Sequence, residues 1–230
     1  ITSKFKLSKV LIEKPVAAST QEALEIKKIS IDKGIKVYVA FDMRFISKLQ
    51  YVKRNIQKLI PEIKLVKIYC GQYLPEWRPE FDYRKSYSSF SEKGGGVDLD
   101  LTHEIDYMLW LFGSPQKIEY TKIDKISSLE ISSPDYFKGI YKYNNFIVDV
   151  ELDYIRKLDR KLIILGENKV LVDLDFIKNN LIFCNEKVEL MINDIKNSLS
   201  AELHEFLNED NPRNLCALDE SIEVLKMINK

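Results

Sequence analysis

GGGVDLDLTHEIDYMLWLFG, residues 94–113, is the stretch on which the reading of the chain turns. Gly94, Gly95 and Gly96 bring no side chains to a core; they permit positive φ and let the backbone approach something closely. Beyond them, Leu101, Ile105, Met108 and Phe112 recur at steps of four, three and four, which predicts one buried face of a helix. At about 100° per residue, Asp100, His103 and Tyr107 share the other face. Gly113 stands where such a helix would stop. The expectation is a helix that packs one face and offers an acid–imidazole pair on the other, fed by a glycine loop.

Upstream, KVLIEKP (9–15) reads as a strand ended by Pro15, which lacks a backbone donor. Ser19 and Glu22 form a capping-box pattern, Ala23, Ile26 and Ile29 follow in helical step, and Gly34 closes the segment. IKVYVAF (35–41) is a second strand, followed by Asp42-Met43-Arg44-Phe45 and an amphipathic stretch from about Ser47 to Ile60 that Pro61 stops. KLVKIYC (64–70) is a third strand, so the order suggests parallel βαβ units. Between this region and the glycines lies LPEWRPEFDYRKSYSSFSEK (74–93), long and aperiodic, as functional loops are. Its Trp77, Phe81, Tyr83 and Tyr87 argue against disorder.

Downstream, from about Lys117 to Ile192, FKGIYKY, FIVDVELDYI, KLIILGE, KVLVDLD and LIFCN read as strands. Turn signals at Asn144-Asn145, Gly166-Glu167-Asn168 and Asn179-Asn180 separate them. Val148, Val150 and Leu152 alternate, which predicts an antiparallel sheet with one buried face. Ile147, Leu162 and Ile164 are expected on its outer face, leaving apolar surface for a homo-oligomer contact, dimer or tetramer. Two helices, near 194–208 and 212–229, close the chain.

The chain has 230 residues and equal numbers of basic and acidic side chains, 35 each, for zero net charge. That balance argues against nucleic acid or an anionic membrane as the main partner. No run approaches the ~18 apolar residues of a spanning helix, and no signal peptide opens the sequence. Cys70, Cys184 and Cys216 are scattered, which suits reduced thiols in the cytoplasm. With only His103 and His204, a multi-histidine metal site is not expected. The chain begins at Ile1 and enters a strand almost at once, which reads as a cut rather than a natural start.

Glu13-Lys14-Pro15 at a strand end, Arg44-Phe45 after the next strand, Gly94-Gly95-Gly96, Asp100 and His103 occur in an order that resembles the Gfo/Idh/MocA family of oxidoreductases. LPEWRPEFDYRKSYS is similar to a branch acting on activated amino sugars in cell-surface glycan synthesis. The resemblance implies an α/β and α+β fold. Residues 1–70 would be the C-terminal part of a Rossmann-like parallel sheet, and 71–230 an α/β domain with an open, mostly antiparallel sheet. The last helix would pack back on the first part. It also implies NAD or NADP as cofactor, held by Glu13, Lys14, Pro15 and Arg44, with a cis Lys14–Pro15 bond. A sugar or sugar nucleotide would be the substrate, contacted by Arg78, Tyr83, Arg84, Tyr87 and Thr102. Lys14, His103 and Asp100 would be catalytic. Two departures stand out: no G-x-G-x-x-G pyrophosphate fingerprint is present, and only Leu101 and Thr102 separate Asp100 from His103, where the family form has three residues.

The chemistry is consistent with those roles. Oxidising an alcohol sends a hydride to nicotinamide and a proton to a base, and an imidazole with an ordinary pKa of about 6.5 suits the second task. Lys14 can stabilise charge developing on oxygen. Each residue also has a plainer reading: His103 packed, Lys14 before a turn, Asp100 as a helix cap, and the arginines in ion pairs. Cys70 and His204 are taken as structural, and Trp110 as packing. The other reading of the chain is a non-catalytic remnant that serves oligomerisation or small-molecule binding.

Overall fold

The computed structural model describes residues 8–190 and 194–228. The expected chain start at Ile1, the end of the strand region at 192 and the helix end at 229 lie outside them. In chain order the elements are β1 (Lys9–Glu13), α1 (Thr20–Lys33), β2 (Lys36–Ala40), a 3-10 turn (Asp42–Phe45) and α2 (Ser47–Asn55). Then come β3 (Leu65–Gly71), α3 (Leu74–Trp77), α4 (Val97–Asp100) and α5 (His103–Phe112). The strand-rich region holds β4 (Lys117–Asp124), β5 (Tyr136–Lys142), β6 (Ile147–Asp153), β7 (Asp159–Gly166), β8 (Lys169–Asp175), β9 (Asn180–Phe183) and β10 (Glu186–Lys187). Last are α6 (Asp194–Asn208), β11 (Cys216–Ala217) and α7 (Leu218–Met227).

Local chemistry explains the first elements. Ser19 caps α1 by accepting from the Glu22 amide at 3.3 Å, and Gly34 ends the helix in the left-handed region. The Glu22 carboxylate reaches back one residue further than a capping box requires, to the Ala18 amide at 3.0 Å. Ala23 is buried as expected, but Ile29 is exposed, so the apolar stripe of α1 is narrower than its sequence suggests. β1 and β2 are parallel, and the short β11 adds an antiparallel strand to β2. α7 starts at Leu218 rather than near 212, because the preceding residues form a loop and β11. It packs on α1, α5 and β2, joining the chain's end to its beginning.

The large sheet has the order β10-β9-β8-β7-β3-β6-β5-β4, and among its described strands only β3–β6 pair parallel, every other pair in it being antiparallel. This is the mostly antiparallel open sheet expected. Two expectations are corrected. β3 does not join β1 and β2; it sits at the centre of the large sheet between β7 and β6. Its Val66, Ile68 and Cys70 need a fully apolar layer, which the sheet supplies through Val148, Val150, Leu162 and Ile164. Leu162 and Ile164 therefore face the core, and the neighbouring Ile163 and Leu165 point outward. In strands a one-residue change of parity moves every side chain to the other face. Val148, Val150 and Leu152 are buried as predicted.

Candidate active site

The stretch 94–113 is two helices, not one. The Thr102 hydroxyl donates to the Leu99 carbonyl at 3.2 Å. In a continuous helix that carbonyl accepts from the His103 amide, and threonine hydroxyls that bond to the preceding turn weaken and bend helices. The break falls in the two-residue gap between Asp100 and His103 and frees the Asp100 carbonyl for another donor. The Lys14 ammonium takes it. The Lys14–Pro15 bond that follows is cis.

The glycines act on the protein's own backbone. Gly94 and Gly96 have positive φ, and a Cβ on Gly95 would lie 2.2 Å from the Tyr87 carbonyl oxygen. The close approach thus seats the 87–88 loop against the start of α4. It brings the Tyr87 hydroxyl to Asp100 Oδ1 at 2.9 Å, while the Tyr154 hydroxyl bonds Oδ2 at 2.5 Å. Burial, then the Asp100 charge, pushes the Tyr87 phenol up to about 12, so it stays a donor.

Asp100 and His103 do not pair. The Asp100 carboxylate serves the two tyrosines, and His103 turns its Nε2 toward Asp42 Oδ1, 3.8 Å away. The expected exposed face of the helix is also absent: Tyr107 is fully buried, because α7 and the large sheet enclose α5 on more than one side. His103 Nδ1 is buried without a hydrogen-bond partner. Its ring packs edge-on against Phe41, with centroids 5.6 Å apart. Burial, then Lys14, then Arg160, hold its pKa well below 6.5, so the imidazole is neutral at pH 7. Burial also lowers the Lys14 pKa, with Asp100 opposing. Lys14 and His103 thus lie within electrostatic reach of one another at the carboxyl end of β1, where ligands of open α/β sheets bind.

Three groups missed in the sequence complete this region. Arg160 Nε lies 2.9 Å from the buried Glu104 and 3.2 Å from Cys70 Sγ. Burial raises the Cys70 thiol to about 12. Tyr154 continues the inward parity of Val148, Val150 and Leu152, and Arg160 that of Leu162 and Ile164. Extending each alternation by one step, forward from Leu152 and back from Leu162, would have found both.

The remaining candidates divide. Arg78, Tyr83 and Tyr87 line a pocket of about 410 Å³ together with Leu74, Trp77 and Phe81. Arg84 is instead tied to Asp82 at 2.8 Å and Glu130 at 3.6 Å at the loop surface. Thr102 is fully buried, its hydroxyl committed to Leu99, and cannot touch a substrate from there. Arg44 is 2 % exposed, with its guanidinium on Asp106 at 2.6 to 3.1 Å and on Glu220 at 3.2 Å. It is an internal ion-pair centre rather than a cofactor contact. Glu13 is exposed beside Lys14.

The residues present fit the reactive end of a nicotinamide cofactor. They offer an imidazole nitrogen without a hydrogen-bond partner and a lysine within electrostatic reach of it. No glycine fingerprint for the pyrophosphate occurs in the sequence. Among the described residues no cluster of three or more His, Cys, Asp or Glu side chains could hold a metal, and no helix is long and apolar enough to cross a membrane.

Residues 53–229 match the family described as the oxidoreductase family, C-terminal alpha/beta domain. An uncharacterised oxidoreductase of Synechocystis sp. is 31% identical over 111 residues, 47% of this chain and 29% of that protein. The fold is similar to UDP-N-acetylglucosamine 3-dehydrogenase from Acidithiobacillus ferrooxidans, with TM-score 0.69 and 20% identity over 94% of this chain and 66% of that one. It is also similar to the WlbA dehydrogenase from Bordetella pertussis in complex with NADH and UDP-GlcNAcA, with TM-score 0.71 and 19% identity over 94% and 66%. The chain spans under a third of the length of the Synechocystis protein and about two-thirds of these structures.

Proposed function

The chain belongs to the Gfo/Idh/MocA oxidoreductase family, and on that premise we propose that it forms the substrate-binding and proton-transfer part of an NAD(P)-dependent sugar or sugar-nucleotide dehydrogenase. The observation that carries the reading is the meeting of Lys14 with the α4–α5 break, beside a neutral His103 whose Nδ1 has no partner. A nicotinamide, when bound, exchanges a hydride with the carbinol carbon. Lys14 donates to the reacting hydroxyl oxygen and stabilises its developing charge. His103 accepts the hydroxyl proton. Asp100, held by two tyrosines, keeps the Lys14 and Tyr87 sides of the site in register.

The pocket of Trp77, Phe81 and Tyr83, with Arg78 at its wall, suits an aromatic or sugar ring bearing anionic groups. Tyr87 connects it to Asp100. The solved dehydrogenases of like fold that act on or hold UDP-sugars support this substrate class. A place in amino-sugar or cell-surface glycan synthesis follows from that class, and the three free cysteines suit the cytoplasm.

The test is nicotinamide absorbance in the intact protein with UDP-N-acetylglucosamine and related sugar nucleotides, using NAD and NADP in turn. His103→Ala should lower kcat by about 10²–10⁴-fold with cofactor affinity little changed. The acid limb of the wild-type rate profile should lie below pH 6.5, because protonation of the ring removes the base. Full turnover in His103→Ala would end the assignment. No hydride transfer with any sugar nucleotide would favour the non-catalytic reading.

A further inference from the structure

Asp42 opens the 3-10 turn after β2, at the carboxyl end of the parallel pair. One of its oxygens faces His103 Nε2 at 3.8 Å, and the other accepts a 2.7 Å hydrogen bond from the Ser198 hydroxyl of α6. Ser198 is buried, and Phe41, the residue before Asp42, packs its ring edge-on against the imidazole. Asp42 is therefore held from behind by α6 and faces His103 in front. Asp100, three residues before His103, has both oxygens on tyrosines.

We propose that Asp42, not Asp100, is the positioning residue of His103. It favours the Nε2–H tautomer, leaves the Nδ1 lone pair as proton acceptor, and balances the imidazolium once the proton has arrived. The inference rests on the reading of His103 as the base. In that step the substrate O–H and carbinol C–H bonds break, an Nδ1–H bond and the carbonyl C=O bond form, and the hydride would pass to a bound nicotinamide. At 3.8 Å the neutral ring is too far for a hydrogen bond but within ion-pairing range, so the contact tightens when the ring becomes charged.

The surroundings make such a partner necessary. Lys14 from the end of β1 and Arg160 from β7 both oppose a positive charge on His103. Facing them are Asp42 from the turn and, behind it on α6, Glu202, one turn on from Ser198 and fully buried. Burial, then Asp42 and Glu13, push Glu202 up to about 8, so at pH 7 it is mostly protonated.

The chain has two histidines, so nitrogen-15 imidazole spectra are simple, and His204→Gln leaves His103 alone. The expected result is an Nε2–H ring near pH 7 that titrates below pH 6.5. Asp42→Asn should move that titration to still lower pH and weaken the tautomer preference, whereas Asp100→Asn should leave both in place. In the intact enzyme Asp42→Asn should lower kcat by about 10–10²-fold with KM little changed. Should Asp42→Asn fail to fold, Ser198→Ala releases the same carboxylate and should also weaken the tautomer preference. An unmoved titration and tautomer in Asp42→Asn, or in Ser198→Ala where that stands in for it, overturns the proposal. So does a larger response to Asp100→Asn. The spectra need no turnover: if they behave as expected while His103→Ala stays active, the assignment of His103 as the base fails and the Asp42–His103 contact stands.

Discussion

A carboxyl group enclosed beside two other acids resists ionisation, and Glu202 shows what this does to the pH dependence of stability. Folded, it keeps its proton up to about 8; an unfolded glutamate loses it near 4.5. Between those values the folded state binds more protons, so stability falls as pH rises through the window. Glu202→Gln cannot ionise and removes that penalty. Its gain in Tm over the wild type should be small at pH 5 and largest at pH 8 and above, as thermal melts across that range would show. A gain that is equal at pH 5 and pH 8 would contradict the assignment. Residues of this kind are where sequence reading reaches its limit. Lys14 and His103 stood out because ordered neighbours surround them in the sequence. Nothing local distinguishes Arg44, which meets Asp106 sixty-two positions away, from an arginine at a ligand surface. The same holds for Glu202, whose charge state depends on α6 lying against the 3-10 turn.

Single elements were more legible, because their causes are local. The capping serine and the closing glycine of α1, the turn asparagines with positive φ at Asn168 and Asn179, and the alternation of β6 all appear where the sequence places them. What stayed hidden depended on parity and on side-chain contacts. KLIILG is apolar at every outward and inward position of its centre, so only pairing with β3, Lys67 against Ile163, decides which residues face the core. The break after Asp100 coincides with a threonine hydroxyl on the Leu99 carbonyl, a contact that the helical period does not announce. Gly95 links element to site. A methyl group there would lie 2.2 Å from the Tyr87 carbonyl and 2.8 Å from Ser88 backbone atoms, with no flexible side-chain end able to yield. Gly95→Ala should cost about 1–3 kcal/mol as an overpacking change, and it should loosen the Tyr87–Asp100 bond by displacing the loop. Urea unfolding measures the first effect, and an unchanged midpoint would show that the contact can relax.

Across the molecule, the large sheet buries one face and leaves the other mixed. Ile147 is exposed there, and Ile163 and Leu165 lie on the same side, among Lys67, Lys138, Asp149 and Glu151. A second copy over this face remains the expected cover, although the apolar residues that would meet it differ in part from those read in the sequence. Light scattering should show an oligomer at micromolar concentration that Ile147→Glu weakens, and a monomeric wild type would count against it. The two sheets themselves are joined by Arg44. Its guanidinium grips Asp106 of α5 and reaches Glu220 of α7, so the turn after β2 and both helices meet at one buried cation. Burial opposes that charge, but Asp106 outweighs it and keeps Arg44 ionised. Breaking a buried pair on one side leaves the other charge without compensation, typically at about 3–5 kcal/mol, whereas replacing both partners with apolar groups can be nearly neutral. Asp106→Ala should therefore lower stability by about 3–5 kcal/mol. The double variant Arg44→Met, Asp106→Leu should recover much of that loss, since Glu220 is half exposed and water can solvate it. Denaturant unfolding of the two variants measures the difference. If the double variant is as unstable as Asp106→Ala, packing around the pair rather than its charge holds the sheets together.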